Sequence, residues 1–237
     1  AASQTLKDAL RHNRMKLMYQ PLVHLDEAVT DQHFEVLLRM VDSENNEVFP
    51  NQFLRSLDTA YVMVKLDRWV VEHALRSLKK SQSGALNRTL FINLARRTLR
   101  SKSFVPWLAH LMTELELSGQ HLTIELSEND AAIDLEHAQV FARAIRRVGC
   151  TFCLKHFGGS TSSEKILELL KPEYVKIDGS YIQELSDRDQ TQALSKLLAP
   201  TRNRDMHVIA PLIEEIGQLG ELVRMGIDMV QGYYLQP

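Results

Sequence analysis

One short stretch puts an acid and a guanidinium on the same side of an extended chain: Glu35-Val36-Leu37-Leu38-Arg39. Side chains alternate along a strand, so Glu35, Leu37 and Arg39 share one face while Val36 and Leu38 share the other. Charged groups taken out of water are costly unless they pair or serve a ligand. From these residues alone two readings stand open, an internal Glu35–Arg39 bridge or a site in which Arg39 holds an anion. A second candidate is Lys155-His156, which opens onto a loop of glycines and serines, Gly158-Gly159-Ser160-Thr161-Ser162-Ser163. An ammonium cannot ligate a metal and opposes one nearby, whereas an imidazole could ligate. The glycine and serine run reads as a turn and carries no separate chemistry.

Cys150 and Cys153 have the C-x-x-C spacing of redox motifs. They fall in an apolar run that reads as a strand, where residues three apart point to opposite sides, so the sulfurs are expected not to meet. A thioredoxin-like motif would instead sit at a helix N-terminus. Both cysteines are therefore read as structural, compatible with a reducing compartment.

The elements that must position these groups are legible as alternating patterns. Short apolar, β-branched runs occur at 16–22, 34–40, 90–95, 122–127, 151–157, 174–177, 207–211 and 229–232. Amphipathic stretches at 63–78, 104–117, 135–148, 190–198 and 216–225 lie between most of them. Asp134 is placed to cap the third stretch, and Gly149 and Gly226 to end two of them. Eight strands with interleaved helices predict an α/β fold, a (β/α)8 TIM-like barrel. The segment between the first two strands, 24–33, is too short and polar for a crossover helix, so that pair is expected to be antiparallel.

The 237 residues are 44% hydrophobic and 24% charged, with a formal net charge of -2. That composition is ordinary for a globular domain and gives no basic footprint for nucleic acid. No apolar run reaches 18 residues, so no membrane contact is expected of this segment, and a cytoplasmic location is expected. No repeat or linker divides the chain, and residues 1–237 read as a single domain. Its abrupt start in Ala-Ala-Ser and its end at Gln236-Pro237 suggest a piece cut from a longer multidomain protein.

Seven motifs in order carry a resemblance. Tyr19-Gln20-Pro21 looks like Y-Q-P, and Glu35–Arg39 like E-A-L-x-R. Leu66–Val70 is similar to L-D-x-W-V, and Ile92-Asn93-Leu94 to V-N-L. Ile124–Glu128 resembles L-E-I-T-E, Val175–Asp178 resembles L-K-I-D, and Gln231-Gly232-Tyr233 matches Q-G-Y. Together they resemble the EAL-domain family, which contains phosphodiesterases that hydrolyse the second messenger cyclic di-GMP.

The resemblance implies a site and also a loss. Active members hold two divalent metals through positions matched here by Glu35, Asn93 and Glu125, together with a pair of aspartates. A lysine matched by Lys176 helps set up the attacking water. Lys155-His156 stands in place of the aspartates, and Ala210-Pro211-Leu212-Ile213-Glu214 in place of A-E-G-V-E, so Pro211 replaces one glutamate. On this reading Glu35, Glu125, Lys155, His156, Lys176, Asp178 and Pro211 are vestigial catalytic positions, with no catalytic residue, metal or cofactor expected. The groups that would hold cyclic di-GMP are Gln20, Leu37, Arg39, Asp67, Asn93, Ile213, Glu214 and Gln231. Arg39 would bind phosphate, carboxylates would accept from guanine N1–H and N2–H2, and Leu37 and Ile213 would face the purines.

The expected function is that of a degenerate, non-enzymatic EAL domain. It would act as a cyclic di-GMP receptor signalling through protein interaction, with a PilZ-domain adaptor as the implied partner in type IV pilus and twitching-motility control. Two alternatives are a weak metal-dependent phosphodiesterase using Glu35, Asn93, Glu125 and Asp178, and a nucleotide-independent scaffold.

Overall fold

The structure, a computed structural model, describes residues 14–42, 44, 46–48, 60–81, 87–183, 185, 188–202, 205–213, 217 and 219–232. Among them the strands are β1 (Met15–His24), β2 (Gln32–Val41), β3 (Glu47–Val48), β4 (Arg88–Asn93), β5 (Leu122–Ser127), β6 (Thr151–Phe157), β7 (Tyr174–Ile177), β8 (His207–Ala210) and β9 (Met229–Val230). The helices are α1 (Ala60–Ser81), α2 (Phe104–Glu114), α3 (Glu128–Ile133), α4 (Leu135–Arg147), α5 (Ser163–Leu170), α6 (Ser180–Gln183), α7 (Arg188–Arg202) and α8 (Leu219–Met225).

Strands β4, β5, β6 and β8 are largely buried on both faces because one face meets helices and the other the barrel interior. The strands join in the order β1-β9-β8-β7-β6-β5-β4-β2, and pairing of β1 with β2 closes an eight-stranded barrel. β3 is a two-residue appendage on β2. The expected antiparallel first pair is present, and β1 also runs antiparallel to β9, so one strand is reversed against both neighbours. All other barrel pairs are parallel.

Period-two alternation sorts the core into two layers. Ile92, Ile124, Phe152, Leu154 and Val175 point outward onto Leu75, Leu108, Phe141 and Ile145 of the helices. Leu22, Phe91, Cys153, Ile209 and Met229 fill the barrel interior. Burying each side chain of this size contributes about 1.5–3 kcal/mol. The cysteines divide between the two layers as expected: Cys150 lies beside Met112 on the helix side and Cys153 inside the barrel.

Two local readings are refined. Gly149 and Gly226 do follow α4 and α8, both at φ +83°. Asp134 does precede α4, yet its carboxylate makes no cap hydrogen bond. It accepts instead from Arg100 Nε at 2.6 Å and faces His137 Nδ1 at 2.8 Å. No described helix is long and apolar enough to cross a membrane.

Candidate functional site

Above the apolar layer, inward positions at the C-terminal ends of the strands become charged. Gln20 on β1 lies opposite Glu35 on β2, and Asn93 on β4 opposite Glu125 on β5. Lys155 enters from β6 and Lys176 from β7. The C-terminal ends of barrel strands are where such folds assemble their chemistry.

These side chains form one ionic cluster. Lys176 Nζ donates to Glu35 Oε2 at 2.9 Å and lies 2.8 Å from Glu125 Oε1. Lys155 Nζ lies 3.4 Å from Glu35 Oε1 and 3.9 Å from Glu125 Oε2. Gln231 Nε2 donates to both Glu35 Oε2 and Gln20 Oε1, the latter at 2.9 Å. Two carboxylates and two ammonium groups therefore share a site closed to water on most sides, and their charges cancel.

The carboxylates respond differently to that setting. Burial favours the neutral form of Glu35, but the ammonium groups of Lys176 and then Lys155, with the Gln231 hydrogen bond, outweigh it. They hold Glu35 well below the usual carboxylate range. Glu125 is completely buried, and burial pushes it upward against the pull of Lys176. Although Lys176 lies within ion-pair distance, neither Glu125 oxygen receives a well-directed hydrogen bond among the described residues. Burial opposes the charge on Lys176, and the two glutamates override it, raising its pKa.

The loop after β6 departs from regular alternation. The β6–β7 register shifts between Leu154 and Phe157, and His156 takes φ +55°. This bulge turns Phe157 into the helix-side core and leaves Lys155 and His156 lining the same cavity. Glu128 anchors the loop by accepting from Gly158 N–H, Ser160 Oγ and Ser163 Oγ. His156 Nδ1 stands 3.4 Å from Asp178 Oδ2. Asp178 is held below its ordinary value, chiefly by the Ser180 hydroxyl that donates to it at 2.7 Å.

Two cavities flank the ionic cluster. One, about 250 Å3, is lined by Gln20, His156, Lys176, Pro211, Leu212 and Gln231. The other, about 270 Å3, is lined by Leu37, Arg39, Met63, Asp67 and Asn93. Glu35 and Lys155 border both. A larger depression of about 600 Å3 beside Lys171 and Glu173 lies at the opposite, N-terminal ends of the strands, away from these groups.

The EAL domain family matches residues 3–237. This chain belongs to the EAL domain family. The cyclic di-GMP phosphodiesterase PdeF of Escherichia coli is 26% identical over 236 residues, covering 99% of this chain and 31% of that protein. The cyclic di-GMP phosphodiesterase PdeB of Shewanella oneidensis is 26% identical, covering 96% of this chain and 27% of that protein. This EAL domain thus spans about a third of the length of those relatives. Among solved structures, the FimX EAL domain from Pseudomonas aeruginosa bound to c-di-GMP superposes with a TM-score of 0.92 at 29% identity. That alignment covers all of this chain and 95% of the other.

These relatives correct one expectation. The reading of the chain as no enzyme rested on missing metal carboxylates, yet the named relatives spanning almost all of it are phosphodiesterases. Substituted ligand positions do not by themselves establish that hydrolysis is lost.

The resemblance implies divalent metals at this mouth. Glu35, Asn93 and Glu125 stand at three matching positions, and the unsatisfied Glu125 oxygens are of the type a hard cation takes. Two ammonium nitrogens already lie within 3.9 Å of both carboxylates. Unit charges ~4 Å apart interact by roughly 4 kcal/mol at an effective dielectric of 20, so a divalent ion would meet strong repulsion there. The donor set as arranged does not fit a divalent cation.

The ligand-binding expectations fare unevenly. Gln20, Leu37, Arg39, Asp67, Asn93 and Gln231 all border the two cavities. Arg39 Nη1 donates to the Leu38 carbonyl at 2.9 Å. Asp67 spends one oxygen on the fold, since Oδ2 accepts from Ala95 N–H at 3.0 Å and from the Thr98 hydroxyl. Burial raises its pKa to about 7 against those bonds. Glu214 lies outside the described residues.

Ile213 is a correction, because it is fully buried in the helix-side core and has no face toward the cavity. Its neighbour Leu212 lines the mouth instead, turned there by a positive φ that breaks the strand's alternation. Sequence reasoning missed Leu212. The available signal was its place against the glycine of the A-E-G-V-E motif, where a positive φ is at home.

Proposed function

We propose that this EAL domain binds cyclic di-GMP across the C-terminal mouth of its barrel. The observation that carries the reading is the pair of adjoining cavities that meet at Glu35 and Lys155. Together they fall within the roughly 300–1,000 Å3 of small-molecule sites. Each is part apolar and part polar, which suits one purine apiece, and the cations Lys155 and Arg39 suit the phosphates between them. Gln20 and Gln231 supply amide groups beside the first cavity and Asn93 beside the second. The bound FimX structure and the names of the curated relatives support the same ligand.

Hydrolysis of that ligand is the reaction the relatives support. Within this chain, Lys155 and Arg39 would neutralise phosphate charge, and Lys176 is held ionised beside Glu35. A second reading is favoured by Lys155, whose ammonium stands between two carboxylates. In that reading nucleotide occupancy itself is passed to a protein, a PilZ-type adaptor.

Calorimetric titration with cyclic di-GMP, in EDTA and then in Mg2+ or Mn2+, tests the binding, and chromatography of the same samples tests turnover. Saturable binding is expected. A linear product assigns hydrolysis, ligand recovered intact assigns the occupancy reading, and absence of binding under every condition overturns the proposal.

A further inference from the structure

We infer that Leu212 is the apolar platform for one purine of the bound nucleotide, a specificity-determining contact held in place by a strained backbone. This rests on the cyclic di-GMP reading above.

Leu212 has φ +58°, the left-handed region that a bulky side chain rarely enters. Leu212 is 44% exposed, so burial offsets only part of the cost of that conformation. The helix-side core position belongs to the next residue, Ile213. Glycine would take the same φ without a steric penalty and leave the core unchanged. For the fold, leucine therefore has little advantage over glycine here.

The surroundings hold the strain rather than relieve it. On one side of Leu212, Ala210 accepts from Gln231 N–H at 2.9 Å; on the other, Ile213 N–H donates to the Gln231 carbonyl at 3.0 Å. Gln231 in turn binds Gln20 and Glu35 through its side chain, so the leucine is pinned by a residue of the ionic cluster. Gly179 leaves the space the side chain uses, since a Cβ there would stand 2.5 Å from Leu212 Cδ1. Over-determined backbone strain of this kind is found at ligand clamps.

The placement is also complementary to a ligand with two bases. Leu212 borders the cavity that holds Gln20 and Gln231, and Leu37 borders the cavity that holds Arg39 and Asn93. Each half of the site thus has an apolar wall, Leu212 with Ile177 in the first and Leu37 with Leu38, Leu66 and Leu94 in the second. A flat purine face gains from such a surface, whereas a ribose-phosphate edge, being polar, does not.

Leu212→Gly separates this role from a packing role, because the two predict opposite signs. Cyclic di-GMP affinity is expected to fall by roughly five- to tenfold, the lower end of what losing a base platform does. The thermal midpoint is expected to stay the same or rise as the strain is released. Leu212→Phe, which keeps an apolar face, is expected to bind within about twofold of wild type or more tightly. Unchanged affinity in Leu212→Gly, measured beside a saturable wild-type titration, overturns the platform while leaving the site reading intact. A thermal midpoint lowered by several degrees in Leu212→Gly also overturns it, by making the leucine a packing residue. If wild type itself shows no binding, the site reading falls and the platform with it.

Discussion

Lys155 and Glu35 are 120 positions apart in the chain, and the barrel brings the ammonium of one to 3.4 Å from the carboxylate of the other. With Lys176 and Glu125 they complete a charge-balanced cluster at the barrel mouth. The following outcomes are expected of it and its surroundings.

Lys155→Asp should tighten Mn2+ binding at least tenfold over wild type. The change removes a positive charge and adds a negative one beside Glu35 and Glu125, and single charges at this range are worth roughly 4 kcal/mol at an effective dielectric of 20. Titration calorimetry reads it directly. Equal affinity in both proteins would mean that position 155 does not govern cation entry.

Asp67 should make stability fall as pH rises from about 4 to about 7. Its folded pKa, raised by burial to about 7, exceeds the ordinary 3.8, so the native state holds the proton more tightly across that window. The contribution is present at low pH and lost above 7. Asp67→Asn should be more stable than wild type at pH 8 and closer to it at pH 5. Both donors fall on one oxygen, Oδ2, and an amide oxygen can accept from both. Parallel thermal-unfolding curves for the two proteins from pH 4 to pH 8 would count against this assignment.

Glu35 predicts the opposite dependence at the acid end. Its folded pKa lies well below the ordinary 4.5, so its contribution is present above 4.5 and lost as pH falls below it. Glu35→Gln should remove part of the acid-induced loss of stability below pH 4.5. Urea midpoints at pH 3 and pH 6 measure it, and an identical drop in wild type and variant would refute it.

Arg39→Ala should weaken cyclic di-GMP binding by roughly 1.5–3 kcal/mol, the scale of hydrogen bonds to a charged group. The thermal midpoint should change little. A large fall in melting temperature with unchanged affinity would assign Arg39 to the fold.

The thiols should be inert in the native state. Burial raises Cys150 to about 12 and Cys153 well above its ordinary value. A disulfide-exchange reagent should label neither until the chain is unfolded, and fast labelling without unfolding would show the cysteines to be accessible.

Much of the fold was legible because strand alternation and helical periodicity are local. The eight strand patterns fold as the eight barrel strands, and the polar 24–33 segment correctly marks the reversed first pair. The inward direction of Glu35 also follows from period two alone. Alternation failed where the backbone left the regular strand. The bulge at Lys155-His156 and the positive φ at Leu212 each moved a side chain to another face, exchanging Ile213 for Leu212 at the mouth.

The sequence by itself determined the barrel, the family and the residue types at the mouth, because each is carried by short-range pattern or by motif. The tertiary structure alone decided which charge meets which. Glu35 had two readings from sequence, and its contacts with Lys155, Lys176 and Gln231 came from β6, β7 and the end of β9, more than a hundred residues away. Ion pairing depends on distances of a few ångströms between strands that only closure of the barrel brings together, and no spacing along the chain encodes those distances.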